Sequence, residues 1–254
     1  MSGPRTASGD GEPPSQRELP PIEKWRQQFS DGSEAQAVPA ATVVVLRDSS
    51  DGPEALMLHR NPCLTFGGMW VFPGGRIDAG DYDSTGELLA AARNAAVRET
   101  HEEASLVLDP ACLVHFSYWL PPAVAPKRFA TWFFAAAAPD EQVRVDQSEV
   151  VRHDWMTPSE ALRRCGAGEI ELIAPTWVTL HSLGGHATVD ELLALLRQRQ
   201  PRDYLTRLAD SDHGPICMWQ GDAGYESGDA SLPGPRHRLA MTPNGYRFDD
   251  SGRR

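Results

Sequence analysis

Apolar positions first become dense at Ala40-Ala41-Thr42-Val43-Val44-Val45-Leu46-Arg47, a continuous, β-branched run that predicts a buried strand. Asp48 to Pro53 is dense turn chemistry, and Glu54 to Arg60 is a second strand, so the two read as a hairpin. Asn61 to Gly68 is a loop. A short strand, Met69 to Phe72, follows and stops at Pro73-Gly74-Gly75. The period then changes. Ser84 followed by Glu87 has the form of a capping box, which places a helix start near Thr85. The stripe Leu89, Ala92, Ala96, Thr100 and Ala104 carries that helix to Ala104, before Asp109-Pro110.

Strands are predicted at Cys112 to Leu120, Phe129 to Ala137 and Val150 to Trp155, the first two joined by a Pro-rich loop over 121–128. Thr157-Pro158-Ser159-Glu160 is a helix start with Thr at the N-cap, Pro at N1 and Glu at N3. Further helices fall at Thr176 to Leu183 and Val189 to Arg199. Beyond Pro201 the chain is rich in Gly, Pro and Asp, with Ile216 to Trp219 and His237 to Met241 paired as a hairpin. The first 37 residues are rich in Pro, Gly, Ser and Glu and are expected to be largely disordered. Within them Pro21 to Phe29 is a candidate short helix that docks Trp25 and Phe29 onto the body. Three segments result: 1–37, a domain over 38–200, and an extension over 201–254 packed on it. Strands interrupted by one long helix and followed by terminal helices imply an α/β class, a mixed sheet with helices on its faces.

One feature of the long helix is costly. Arg98-Glu99-Thr100-His101-Glu102-Glu103 puts three carboxylates on an arc roughly 100° wide, and Glu103 projects into the edge of the apolar stripe. Clustered carboxylates half facing a core repel one another and lose hydration unless something positive sits among them. A divalent cation is the simplest candidate, and hard Mg²⁺ or Mn²⁺ prefers such oxygen ligands. Arg98 stands four residues before Glu102 and can pair with it. Upstream, Gly74-Gly75 ends an apolar strand, where the backbone can turn sharply and approach a ligand closely.

Composition narrows the partners. The chain has 254 residues, 41% hydrophobic and 23% charged, and a net charge of −11, which argues against a nucleic-acid binder. The four cysteines, Cys63, Cys112, Cys165 and Cys217, form no C-x-x-C pair and read as reduced thiols. The eight histidines show no zinc-protease spacing. With no long apolar run and no signal-peptide core, no membrane partner is expected, and the expected compartment is the cytoplasm. Oligomeric state is open, a homodimer being one arrangement the sequence allows.

Gly75, five residues, Asp81, then Arg98-Glu99-Thr100-x-Glu102-Glu103-x-Ser105-Leu106 resembles the signature box of the Nudix hydrolases, with Phe72-Pro73-Gly74-Gly75 before it also typical. The family pattern is glycine, five residues, glutamate, seven residues, then Arg-Glu-apolar-x-Glu-Glu-x-Gly-apolar. Three departures are visible: Asp81 in place of glutamate, sixteen residues between Asp81 and Arg98, and Ser105 in place of the last glycine. The extended box, with Thr157-Pro-x-Glu and Ala174-Pro-Thr downstream, is similar to the branch containing peroxisomal coenzyme A diphosphatases. That branch usually carries an arginine where this chain has Leu64. Pro121 and Pro122 resemble the proline described for ADP-ribose hydrolases.

The resemblance implies the α/β/α sandwich of that superfamily and a hydrolase acting on a small-molecule nucleoside diphosphate derivative. It implies Glu99, Glu102 and Glu103 as ligands of Mg²⁺ or Mn²⁺, with the backbone carbonyl of Gly75, and Arg98 among the catalytic residues. The base is Glu99 or a carboxylate from another loop, for which Glu149 is the candidate. Arg60, Gly74, Lys127 and Arg128 are expected at the substrate. The alternative is a Nudix-like nucleotide-binding or regulatory module whose altered box has lost turnover.

Overall fold

The structure, a computed structural model, describes residues 36–64, 67–125 and 128–252. The expected helix at Pro21 to Phe29 and the expected substrate residue Lys127 lie outside them.

The apolar run becomes β1 (Val38–Arg47), and its continuity has a simple cause: both faces are covered. Ala41, Val43 and Val45 point into one core, Val44 and Leu46 into another. β1 lies parallel to β6 (Phe129–Ala137), while β5 (Val114–Leu120) is antiparallel to β6. β2 (Glu54–Arg60) closes the hairpin with β1 through Leu46↔Ala55. On its other edge β2 carries β7 (Val150–Met156), and at its end it pairs with β3 (Trp70–Val71). The glycines do not merely end a strand, as the sequence suggested. Gly74–Arg76 is itself a strand, β4, paired with β1 through Ala41↔Gly75 and Thr42↔Gly74.

Helix α1 (Leu88–Ala104) covers one face of the mixed sheet with Ala92, Ala95, Ala96 and Ala104. Helices α2 (Pro158–Gly166), α3 (Ala174–Leu183) and α4 (Val189–Gln198) cover the other. The architecture is the expected α/β/α sandwich. Thr157 caps α2 as the sequence indicated, its hydroxyl accepting from Glu160 N at 3.2 Å.

The start of α1 differs from expectation. Ser84 and Glu87 form no capping box. Thr85 N donates to Asp83 Oδ1 at 2.9 Å, and Gly86 takes φ +68, which cannot continue into a helix. The helix therefore begins at Leu88, and Leu89, placed on the apolar stripe by the periodicity, is exposed.

The C-terminal segment is more extensive than a hairpin. β8 (Arg202–Leu205) adds to the main sheet beside β5, in parallel. β9 (Arg207–Ala209), β10 (Ile216–Met218), β11 (Arg238–Thr242) and β12 (Gly245–Asp249) form a separate antiparallel sheet in the order 12-11-10-9. An aromatic wall joins the two sheets: Trp119 stacks on Tyr204 at 3.9 Å and meets Trp219 edge-on at 5.6 Å.

Candidate functional site

The site forms where the last turns of α1 cross the paired ends of β1 and β4. Gly74 fits there because it lacks a side chain: a Cβ on it would stand 2.4 Å from Ala41 O and 2.7 Å from Thr42 Cα. A Cβ on Gly75 would stand 2.3–2.6 Å from the Glu99 carboxyl atoms, so that carboxylate rests directly on the Gly75 backbone. Gly74 N donates to Glu103 Oε2 at 3.0 Å. Both glycines thus face the glutamates, and the Glu103 bond to a backbone amide is a contact that the sequence spacing did not indicate.

Glu103 is 4% exposed, as its position at the edge of the apolar stripe implied. Burial pushes its carboxyl up to about 7 against the opposing effects of the Gly74 amide and Arg60, while Glu99 and Glu149 raise it further. Burial likewise raises Glu99, opposed by Arg98, with Glu102 and Glu149 adding repulsion. Glu149 is thereby close enough to influence both.

Two arginines neutralise the acids. Arg98 Nη1 donates to Glu99 at 2.8 Å and to Glu102 at 3.1 Å. On its other side Nε and Nη2 form a two-pronged pair with Asp81 at 3.0 and 2.9 Å, and Nη2 also donates to Arg76 O at 2.9 Å. Asp81 is buried. Burial alone would raise its carboxyl, but Arg98 and the Asp78 amide hold it below the ordinary carboxylate range. Asp81 stands at the glutamate position of the box and was not among the expected site residues. Its five-residue spacing from Gly75 was the signal that could have placed it there. Arg60, from the end of β2, reaches Glu103 and Glu149 at 3.0 Å each. Arg128 donates from Nε to Pro121 O at 3.2 Å.

For a divalent ion the donor chemistry fits: hard carboxylate oxygens, one of them buried at an electrostatic cost, beside a glycine whose missing Cβ admits Glu99 to the backbone. Among the described residues no three acidic, His or Cys side chains already converge as a cation cage.

The chain resembles solved structures, and the first of them shares its fold. A Nudix hydrolase from Alicyclobacillus acidocaldarius is 21% identical, with a TM-score of 0.57, over 64% of this chain and 97% of that one. An Ap4A hydrolase from C. elegans is 21% identical (57% and 93% covered, TM-score 0.39). The NUDIX domain of Shewanella oneidensis NrtR, solved with ADP ribose, is 14% identical (61% and 94% covered, TM-score 0.44). No curated protein matches the chain. The NUDIX domain family model matches residues 37–177, more than half of the sequence, so the chain belongs to the Nudix family.

Proposed function

We propose that the protein hydrolyses the diphosphate linkage of a nucleoside diphosphate derivative in a reaction that requires Mg²⁺ or Mn²⁺. The observation that carries this reading is Glu103: a carboxylate 4% exposed, held by the Gly74 amide and one arginine, in a cluster with Glu99. A structural helix gains nothing from burying an acid there. Nudix hydrolases generally use divalent ions.

Glu99, Glu102, Glu103 and the Gly75 carbonyl are the proposed ion ligands. The ion supplies charge neutralisation at the diphosphate and a water of lowered pKa. Arg98 fixes the rotamers of Glu99 and Glu102 through its pairs with both. Glu99 or Glu149 takes the proton of the attacking water. Glu149 suits this role because its side chain is 56% exposed and still lies within 3.0 Å of Arg60. Gly74, Arg60, Lys127 and Arg128 are the proposed substrate contacts.

The competing reading, a binding module without turnover, drew on the altered box. The buried Asp81–Arg98 pair counts against it, since the two halves of the box meet despite the longer spacing. The test is a panel of coenzyme A and its acyl esters, ADP-ribose, NADH, dinucleoside polyphosphates and nucleotide sugars, each with both metals. At least one should be hydrolysed, with Glu103→Gln lowering kcat by on the order of 10²–10³-fold. Turnover that survives both EDTA and Glu103→Gln would sink the mechanism.

A further inference from the structure

Arg60 ends β2 with its guanidinium between two carboxylates of very different exposure. Nη1 donates to Glu103 Oε1 and Nη2 to Glu149 Oε2, each at 3.0 Å. The side chains of Glu103 and Glu149 are 5% and 56% exposed, and that of Arg60 is 16% exposed. Arg60 Nε is buried with no hydrogen-bond partner. An arginine held for structure alone normally has its buried N–H groups matched, because an unmatched one gives up its hydration with no bond in return. Here the guanidinium is held by two carboxylates, and Nε is left without a partner.

Oε2 of Glu103 accepts from Gly74 N and Oε1 from Arg60. An ion that uses either oxygen of Glu103 comes close to the Arg60 guanidinium, and the two cations repel each other. We infer that Arg60 is the internal counter-ion of this site. In the metal-free protein it neutralises Glu103 and pins Glu149 against it, and it gives up Glu103 Oε1 when the ion arrives. This rests on the metal-dependent reading proposed above. Arg60 is here a positioning residue acting through Glu103 and Glu149. Once released, its guanidinium is available to a substrate phosphate oxygen. It and the ion thus hold Glu103 in turn, and metal affinity is set below what the carboxylates alone would give.

The experiment is a Mn²⁺ titration of the metal-stripped full chain, with free Mn²⁺ read by EPR, on wild type, Arg60→Gln, Arg60→Lys and Glu103→Gln. Arg60→Gln should bind Mn²⁺ roughly tenfold more tightly, the scale of one lost charged hydrogen bond. Arg60→Lys keeps the competing charge and should stay near wild type. Unchanged or weaker binding in Arg60→Gln overturns the inference. If Glu103→Gln abolishes binding in that same case, the metal reading stands and only the role of Arg60 fails. No Mn²⁺ binding by wild type removes both. If Arg60→Gln folds only when Mn²⁺ is present, the ion is replacing the missing cation and the inference is supported. Failure to fold in both conditions, shared by Arg60→Met, assigns Arg60 to structure and overturns it.

Discussion

Ser105 ends α1 in the left-handed region, φ 57 and ψ 27, with its amide donating to His101 O. Its position is that of the last glycine of the Nudix box. A side chain in this conformation costs about 1 kcal/mol relative to glycine. The Ser105 hydroxyl offsets part of that by donating to Arg144 O at 3.0 Å, at an exposed site. Ser105→Gly should therefore raise the unfolding free energy by about 0.5 kcal/mol in a urea titration and leave kcat/KM within about twofold. A loss of stability would mean that the hydroxyl outweighs the strain. Residues whose partners are local were legible in this way. Glu99, Glu102 and Glu103 share an arc by spacing alone, and the substitution of serine at a glycine position stood out. The bond from Arg60 to Glu103 was not, because it joins positions 43 apart on different elements. Periodicity carries no information about such a pair.

At the scale of elements, the longer spacing inside the box is absorbed in one place. The short 3₁₀ turn Ala79–Asp81 sits beneath Arg98, and residues 82–89, up to the first turn of α1, are exposed. The added length lies outside the pairing and leaves it intact. Asp81 is 5% exposed and meets Arg98 through both oxygens, so Asp81→Asn leaves the guanidinium without its buried partner. The cost should be about 2 kcal/mol, below that of a fully buried pair because Arg98 is itself 29% exposed. Activity should fall at least about tenfold, since Arg98 also orients Glu99 and Glu102. Chemical denaturation and Mn²⁺-supported turnover would check both effects, and a variant neutral in both would show that the insertion has uncoupled the halves of the box. The helix start was misread for a reason of the same scale. Ser84 and Glu87 have capping-box spacing, but Asp83 captures Thr85 and the positive φ of Gly86 breaks the helical path between them. The strand after Phe72 was likewise read as a turn, because glycines signal turns and here they admit a neighbouring strand and a carboxylate.

Over the whole molecule, the mixed sheet with helices on its faces followed from the apolar pattern, and the C-terminal fifth of the chain largely did not. β8 buries one residue, Tyr204, and β9 and β12 are short and half exposed, so neither alternation nor a long apolar run marks them. They are fixed by partners distant in sequence: Trp119 and Trp219 for Tyr204, and one buried ion pair for the second sheet. In that pair Arg238 Nε donates to Asp222 Oδ2 at 2.6 Å, and the same oxygen accepts from His237 N at 2.9 Å. Burial alone would raise the Asp222 carboxyl, but the hydrogen bonds from Arg238, His237 N and Gly224 N together hold it below the ordinary carboxylate range. A carboxyl depressed in the folded state contributes stability above its unfolded value of about 4, and that contribution is lost as pH falls through the lower folded value. The protein should therefore lose stability on acidification below about pH 4. Asp222→Asn should start about 3 kcal/mol less stable at pH 7 and show a shallower loss over that acid range. Denaturant titrations at several pH values, in EDTA so that metal binding does not intrude, would read both slopes. Parallel slopes for the two proteins would mean that the second sheet is held by its aromatic wall and not by this pair.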